Sequence, residues 1–107
     1  MSQASEGAAV TVRDNPAAHQ YEASLDGRVV GMAQYLTSGS TLVFTHTEVN
    51  EDLEGRGIAS RLVRAALDDV RARGLRAAPL CPYVKAFLER NPEYKDLLPG
   101  AARAGGD

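Results

Sequence analysis

The amino-acid sequence predicts an α+β fold: a mixed sheet that begins as an antiparallel meander and ends in one β-α-β unit, followed by a C-terminal helix. Three observations carry this expectation. Apolar and polar residues alternate with period two from His19 to Leu25, and turn sequences at Asp26-Gly27 and Ser38-Gly39-Ser40 mark off two further strands, Arg28 to Thr37 and Thr41 to Val49. From Ile58 the apolar spacing lengthens to that of a helix. A short apolar run, Arg76 to Leu80, then follows Gly74. The 107 residues suit one domain, and 44% apolar with 24% charged residues is the balance of a globular chain.

Each element has a local reason. The β-branched run Val10 to Arg13 is cut off by Asp14, Asn15 and Pro16. His19 to Leu25 puts Tyr21, Ala23 and Leu25 on one face and Gln20, Glu22 and Ser24 on the other, as a half-buried strand requires. Asp26-Gly27 tolerates the positive φ of a tight hairpin, so Arg28 to Thr37 returns antiparallel, and Thr41 to Val49 completes the meander. Asn50 to Gly57 is polar. Ile58, Ala59, Leu62, Val63, Ala66 and Val70 form the stripe of an amphipathic helix about four turns long, closed by Gly74. That helix joins Val49 to the strand Arg76–Leu80, so those two strands should run parallel. Pro82 suits the first turn of a second helix with apolar face Val84, Phe87 and Leu88, which stops at Asn91-Pro92. Residues 1–9 and 99–107 read as disordered ends around a single domain at 10–98.

Charge narrows the partners. Twelve Lys and Arg against fourteen Asp and Glu leave a net charge of -2, which argues against duplex nucleic acid, because such binders carry a basic excess that displaces counterions. RNA recognition through the sheet is disfavoured by the same charge and by only four tyrosines, two phenylalanines and no tryptophan. The total conceals an asymmetry. Two basic and seven acidic residues up to Leu53 give -5, whereas ten basic and seven acidic residues from Glu54 give +3, so an anion belongs with the second half. The single cysteine, Cys81, allows no internal disulfide, and two histidines without paired ligand spacing predict no metal site. No apolar stretch reaches the roughly 20 residues that span a bilayer. Ser2 to Ala9 lacks the apolar run of a signal peptide, so the expected compartment is the cytoplasm and no membrane partner is expected.

The most informative segment is strand, then Glu54-Gly55-Arg56-Gly57-Ile58-Ala59, then helix. A Gly-x-Gly at a helix start lets the backbone approach a ligand closely, and the helix dipole adds positive charge, so a pyrophosphate fits there. Arg56, Arg61 and Arg64 lie within reach as side-chain contacts. Arg71 and Arg73 read instead as a solvated face laced by Asp68 and Asp69. The plain alternative is a tight strand-to-helix turn. No Gly-Lys-Ser/Thr follows, and Ser60 stands at the third glycine position of the dinucleotide fingerprint, so neither of those phosphate motifs applies.

The string Val49 through Leu62, combined with His46-Thr47-Glu48-Val49, Cys81-Pro82-Tyr83-Val84 and Asn91-Pro92-Glu93-Tyr94, resembles very short stand-alone members of the GNAT superfamily of N-acetyltransferases. The likeness runs from about Val10 to Leu98. It implies acetyl-CoA as co-substrate, with Val49, Leu53, Glu54, Gly55, Arg56, Gly57, Ile58, Ala59 and Arg61 as its binding residues and the pyrophosphate on the amides of Leu53 to Ala59. The pantetheine would enter the splay between the strand ending at Val49 and the strand Arg76–Leu80. The resemblance also implies direct attack by an amine on the thioester, a backbone N–H near the end of the central strand that polarises the carbonyl, and a tyrosine that protonates the departing thiolate. Two positions depart from the pattern. Asp52 stands where Gln or Arg is usual, and the tyrosine position falls at Phe87 or Leu88, neither of which can donate a proton.

Four side chains could carry the chemistry. Cys81, at a helix start just after the fifth strand, is a candidate proton donor or nucleophile, or else a small buried apolar residue. Tyr83 is the substitute proton donor, or a packing tyrosine. His46 and Glu48 alternate onto one strand face together with Leu42 and Phe44, and either could take a proton from the amine; otherwise they are ordinary strand-end residues. His19 reads as plain surface. The implied function is acetyl transfer from acetyl-CoA to a small amine, a peptide or a protein lysine. The alternative is a non-catalytic acyl-CoA-binding or sensor module. So short a chain leaves little for an acceptor pocket, so the acceptor is an exposed group on a protein or a homodimer completes the site.

Overall fold

The computed structural model describes residues 10–101, so the disordered end expected at residues 1–9, and residues 102–107 of the one expected at 99–107, lie outside the described residues. Five strands form one sheet in the order β1-β2-β3-β4-β5: β1 (Val10–Asn15), β2 (Gln20–Leu25), β3 (Arg28–Ser38), β4 (Thr41–Val49) and β5 (Arg76–Pro79). Helix α1 (Ile58–Ala72) connects β4 to β5, and α2 (Pro82–Arg90) follows. The first four strands pair antiparallel, and β5 adds to β4 in parallel, as the crossover requires. Asp26 and Gly27 both take positive φ, +52° and +83°, the conformation of a two-residue hairpin whose twist matches its strands.

Both helices cover the same side of the sheet. Tyr21, Ala33, Tyr35, Leu42, Phe44 and Ala77 point to that side and join Leu62, Val63, Leu67 and Val70 of α1 and Val84, Phe87 and Leu88 of α2 in one core. Three aromatic rings form its centre, with Phe44 6.2 Å from both Tyr21 and Tyr35. The other face of the sheet is turned to solvent, and Leu36 there is 60% exposed.

A β-bulge changes what β4 presents. Phe44 lies opposite Tyr35 and His46 opposite Gln34, which leaves Thr45 without a partner in the register. One extra residue inverts the alternation beyond it. Thr47 and Val49 therefore take over the core side, opposite Ala33 and Gly31, and His46 and Glu48 pass to the solvent side, opposite Gln34 and Met32. The expectation that His46 and Glu48 share a face with Leu42 and Phe44 is corrected: strict period-two alternation cannot see a bulge.

The end of the chain differs from the expectation as well. Asn91-Pro92 stops α2, but a 3-10 turn at Pro92–Leu97 follows and buries Tyr94 and Leu97. Four side chains tie it down. Arg64 stacks on the rings of Phe87 and Tyr94 at 5.3 and 5.7 Å and donates to Asn91 Oδ1 at 3.2 Å. Arg71 forms a bidentate pair with Asp96 at 2.7 and 2.9 Å, and Tyr94 donates to Asp68 at 2.6 Å. Arg76 donates to the carbonyls of Leu98 and Ala101 at 2.7 and 2.9 Å. Pro99 to Ala101, expected in the tail, are thus held by β5. Arg64 is occupied as a clamp, which corrects its expected role in phosphate contact. Arg71 reaches Asp96 instead of lying along a free helix face, and the expected pair of Arg73 with Asp69 is present at 3.0 Å.

Tyrosines on the helix side make the domain sensitive to alkali. Tyr21 donates to Asp69 at 2.6 Å and Tyr35 to Asp14 at 2.7 Å, with Arg73 bridging both carboxylates. Burial, and then the bond to a carboxylate, push Tyr35 up to about 12 and raise Tyr21 and Tyr94 in the same direction. Below about pH 10 these tyrosines are protonated in both the folded and the unfolded chain. Above it the unfolded chain loses protons that the folded one keeps, so the stability these three tyrosines contribute is fully present below about pH 10 and is lost as pH rises toward 12. A titration of the 295 nm absorbance checks this. Three of the four tyrosines should ionise later than in the denatured chain; coincident curves would refute the assignment.

Candidate active site

The loop from β4 to α1 is built by two glycines. Gly55 and Gly57 have φ of +87° and +79°, a left-handed backbone that side chains with a Cβ rarely adopt, and Gly57 is the N-cap of α1. Among the described residues no side chain caps this helix, and its first turn holds no acidic residue, so its early N–H groups and the positive end of its dipole face the loop. Leu53 anchors the loop by burying its side chain in the core.

Above the loop lies a cleft of about 290 Å³ lined by Val49, Leu53, Glu54, Gly55, Gly57, Ile58, Ala59, Ser60 and Tyr83. Seven of these are residues assigned to acetyl-CoA from the sequence, and Tyr83 is the substitute proton donor. The remaining two of the expected binding residues, Arg56 and Arg61, are exposed and do not line the cleft. On the neighbouring strand, a Cβ at Gly31 would come within 3.1 Å of the Glu48 carbonyl and of the Val49 side chain, so glycine there eases the close approach of β3 to Val49.

The expected splay is present. The last β4–β5 pair is Phe44 with Pro79, after which Leu80 and Cys81 both donate their N–H to the Phe44 carbonyl, at 3.0 and 2.8 Å, and the chain turns into α2. β4 continues five residues further, from Thr45 to Val49, and among the described residues no strand pairs with that edge. Strand edges of this kind offer free backbone donors and acceptors.

The four reactive candidates fall in three places. Cys81 is the N-cap of α2, 3% exposed, with its Sγ 3.4 Å from Thr47 Oγ1. Strict alternation along β4 would turn Thr47 away from Cys81, and the bulge at Thr45 brings it to the core side. Tyr83 is half-buried in the cleft wall. His46 and Glu48 stand on the opposite, solvent face, His46 Nε2 3.4 Å from Glu48 Oε1, with side chains 55% and 65% exposed. Phe87 and Leu88, at the missing tyrosine position, are buried in the core. His19, exposed at the end of the first 3-10 turn, lies edge-on to Tyr35. Among the described residues no group of acidic, histidine or cysteine side chains could hold a metal ion, and no helix is long and apolar enough to cross a membrane.

Comparison with known proteins gives a consistent answer. A family model described as GCN5-related N-acetyl-transferase matches residues 20–97. The chain is 36% identical over 99 residues to Protein NATD1 of Bos taurus, covering 87% of this chain and 86% of that protein, and 34% identical over 99 residues to the Homo sapiens protein of the same name, with the same coverage. Its fold is similar to the solution structure of a GCN5-like protein from Staphylococcus aureus, with TM-score 0.65 at 18% identity over 89% of this chain and 93% of that one. It is also similar to the ribosomal-protein-S18-alanine N-acetyltransferase of Escherichia coli, with TM-score 0.58 at 13% identity over 83% of this chain and 56% of that one.

Proposed function

Because the chain belongs to the GCN5-related N-acetyltransferase family, we propose that it transfers an acetyl group from acetyl-CoA to an amine, and that it does so in the cytoplasm. The observation that carries the reading is the cleft itself, which joins an uncapped helix start to the unpaired edge of β4. The residues present fit the co-substrate. Backbone N–H groups from Gly55 to Ala59 would hold the pyrophosphate, those of Leu53 and Glu54 being donated to the carbonyls of Asn50 and Glu51 at 3.0 and 3.2 Å, with the exposed Arg56 and Arg61 nearby to offset its charge. The open edge from Thr45 to Val49 would pair with the amides of the pantetheine.

Bound there, acetyl-CoA supplies a thioester carbonyl open to attack. Tyr83 in the cleft wall holds a phenolic proton for the departing sulfur. Cys81, behind Thr47, is the other donor within the splay. His46 and Glu48 are available to the amine from the far face of the sheet.

A second reading, a non-catalytic acyl-CoA-binding module, is favoured by one observation: Phe87 and Leu88 fill the usual tyrosine position with buried apolar side chains. One pair of measurements separates the two. Acetyl-CoA at a hundredfold excess over its Kd should stabilise the protein by about 2.7 kcal/mol, which raises Tm by about 10 °C in a domain of this size. An enzyme must also release free CoA in the presence of an amine. A Tm shift without CoA release across a broad amine panel selects the binding module, and the absence of any shift removes both readings.

A further inference from the structure

We propose that Arg64 is a positioning residue for the acetyl-CoA cleft: it does not line the cleft, but it sets the spacing of the two helix starts that wall it. The inference rests on the acetyl-CoA reading above and adds to it the part of the fold that tunes affinity there.

Both helices begin at the cleft. Ile58, Ala59 and Ser60, in the first turn of α1, form one wall, and Tyr83, the second residue of α2, stands in the other. Residues four apart share one face of a helix. Arg64 therefore lies one turn beyond Ser60 on α1, and Phe87 one turn beyond Tyr83 on α2. These two meet: the guanidinium carbon of Arg64 is 5.3 Å from the centre of the Phe87 ring. The contact spaces the helices one turn beneath the opening between Ser60 and Tyr83.

The helices are unequally held. α1 buries six of its fifteen residues, whereas α2 has nine residues and buries three, Val84, Phe87 and Leu88. The start of α2 is tied to the Phe44 carbonyl, which accepts the N–H groups of Leu80 and Cys81. With that end fixed, the tilt of α2, and with it the place of Tyr83, depends on where the other end is held. Arg64 holds it. Its Nη2 donates to Oδ1 of Asn91, the C-cap of α2, at 3.2 Å, and Asn91 Nδ2 donates back to the Phe87 carbonyl at 2.9 Å. Its Nη1 donates to the Tyr94 hydroxyl at 3.4 Å, and the guanidinium lies over that ring as well, at 5.7 Å. One flat cation stacks through its face and donates through its edge, which a lysine ammonium, a point charge on a flexible stem, cannot do.

Arg71 supplies the contrast. Two turns further along α1 it too stacks on Tyr94, at 5.6 Å, and it pairs with Asp96. Tyr94 and Asp96 belong to the 3-10 turn and not to α2. Loss of Arg71 therefore removes the same charge and loosens the same turn without releasing α2.

The test measures the acetyl-CoA Kd by calorimetry, and Tm, for the full chain and for Arg64→Met, Arg64→Lys and Arg71→Met. Arg64→Met and Arg71→Met should lower Tm by similar amounts. Arg64→Met and Arg64→Lys should both raise Kd about tenfold, within the range by which packed residues outside a site shift affinity. Arg71→Met should leave Kd within about twofold of the unaltered protein. In a Phe87→Leu background, which keeps an apolar side chain and removes the ring, Arg64→Met should add less than about twofold to Kd, because the contact is already gone. A lysine variant that binds as the unaltered protein does makes the charge and not the stack the cause, and overturns the proposal. Equal rises in Kd for Arg64→Met and Arg71→Met, or an undiminished rise in the Phe87→Leu background, overturn it too. An unchanged Kd in Arg64→Met does the same and leaves the cofactor reading standing. Absence of acetyl-CoA binding by the unaltered protein overturns that reading and the proposal with it.

Discussion

Replacing Phe44 by alanine is expected to remove about 3–5 kcal/mol of stability, the usual loss for a buried aromatic ring. A domain of this size has about 5–15 kcal/mol in total, so the variant should be largely unfolded under mild denaturing conditions. The position is sensitive for two reasons that act together. Its ring, 1% exposed, packs against both Tyr21 and Tyr35 at the centre of the core. Its carbonyl accepts two N–H groups, from Leu80 and Cys81, and so fixes where the sheet ends and the splay begins. Phe44→Leu keeps most of the volume and should lose only about 1.5 kcal/mol. Urea denaturation followed by circular dichroism measures both. A loss below about 1 kcal/mol for the alanine variant would contradict the close packing of the three rings.

Gly57→Val should weaken acetyl-CoA binding by more than tenfold. At φ +79° a β-branched residue is strained by about 1–2 kcal/mol, and relief of that strain moves the N–H groups at the start of α1 away from the cleft. Stability falls too, so a matched control is needed. Gly27, in the β2–β3 hairpin, has φ +83° and open space around it, as Gly57 does, but it lies outside the cleft. Gly27→Val should lower Tm by a similar amount and leave acetyl-CoA affinity unchanged in calorimetry. Equal affinity for both variants would detach the glycine loop from cofactor binding.

Much of this architecture is legible in local patterns. Period-two alternation finds β2 because one sheet face is wet, and Asp26-Gly27 marks the turn into β3 because both residues take positive φ. The α1 stripe is found apart from Leu67, and the glycine loop together with Tyr83 assembles into one cleft. What escapes is whatever depends on partners distant in the chain. The bulge at Thr45 is set by register against β3, so the faces of His46, Thr47 and Glu48 were not visible in β4 alone. Arg64 could be a phosphate ligand by sequence position. It is a clamp because Phe87, Asn91 and Tyr94 arrive beside it from more than twenty residues away.

The arginine clamps have a consequence for how the chain folds as it is made. Residues up to Ser38 contain three strands that can pair as soon as they emerge from the ribosome. The outward groups of α1 must wait: Arg64 for Asn91, Asp68 for Tyr94, and Arg71 for Asp96, separations of 27, 26 and 25 residues. Throughout that interval α1 carries its charges without their partners, and the parallel β4–β5 pair has yet to form. Completion of the helix layer is thus timed by synthesis of the 3-10 turn at Pro92–Leu97, and a pause in translation before Asn91 would hold the nascent domain with its antiparallel meander paired and its clamps open.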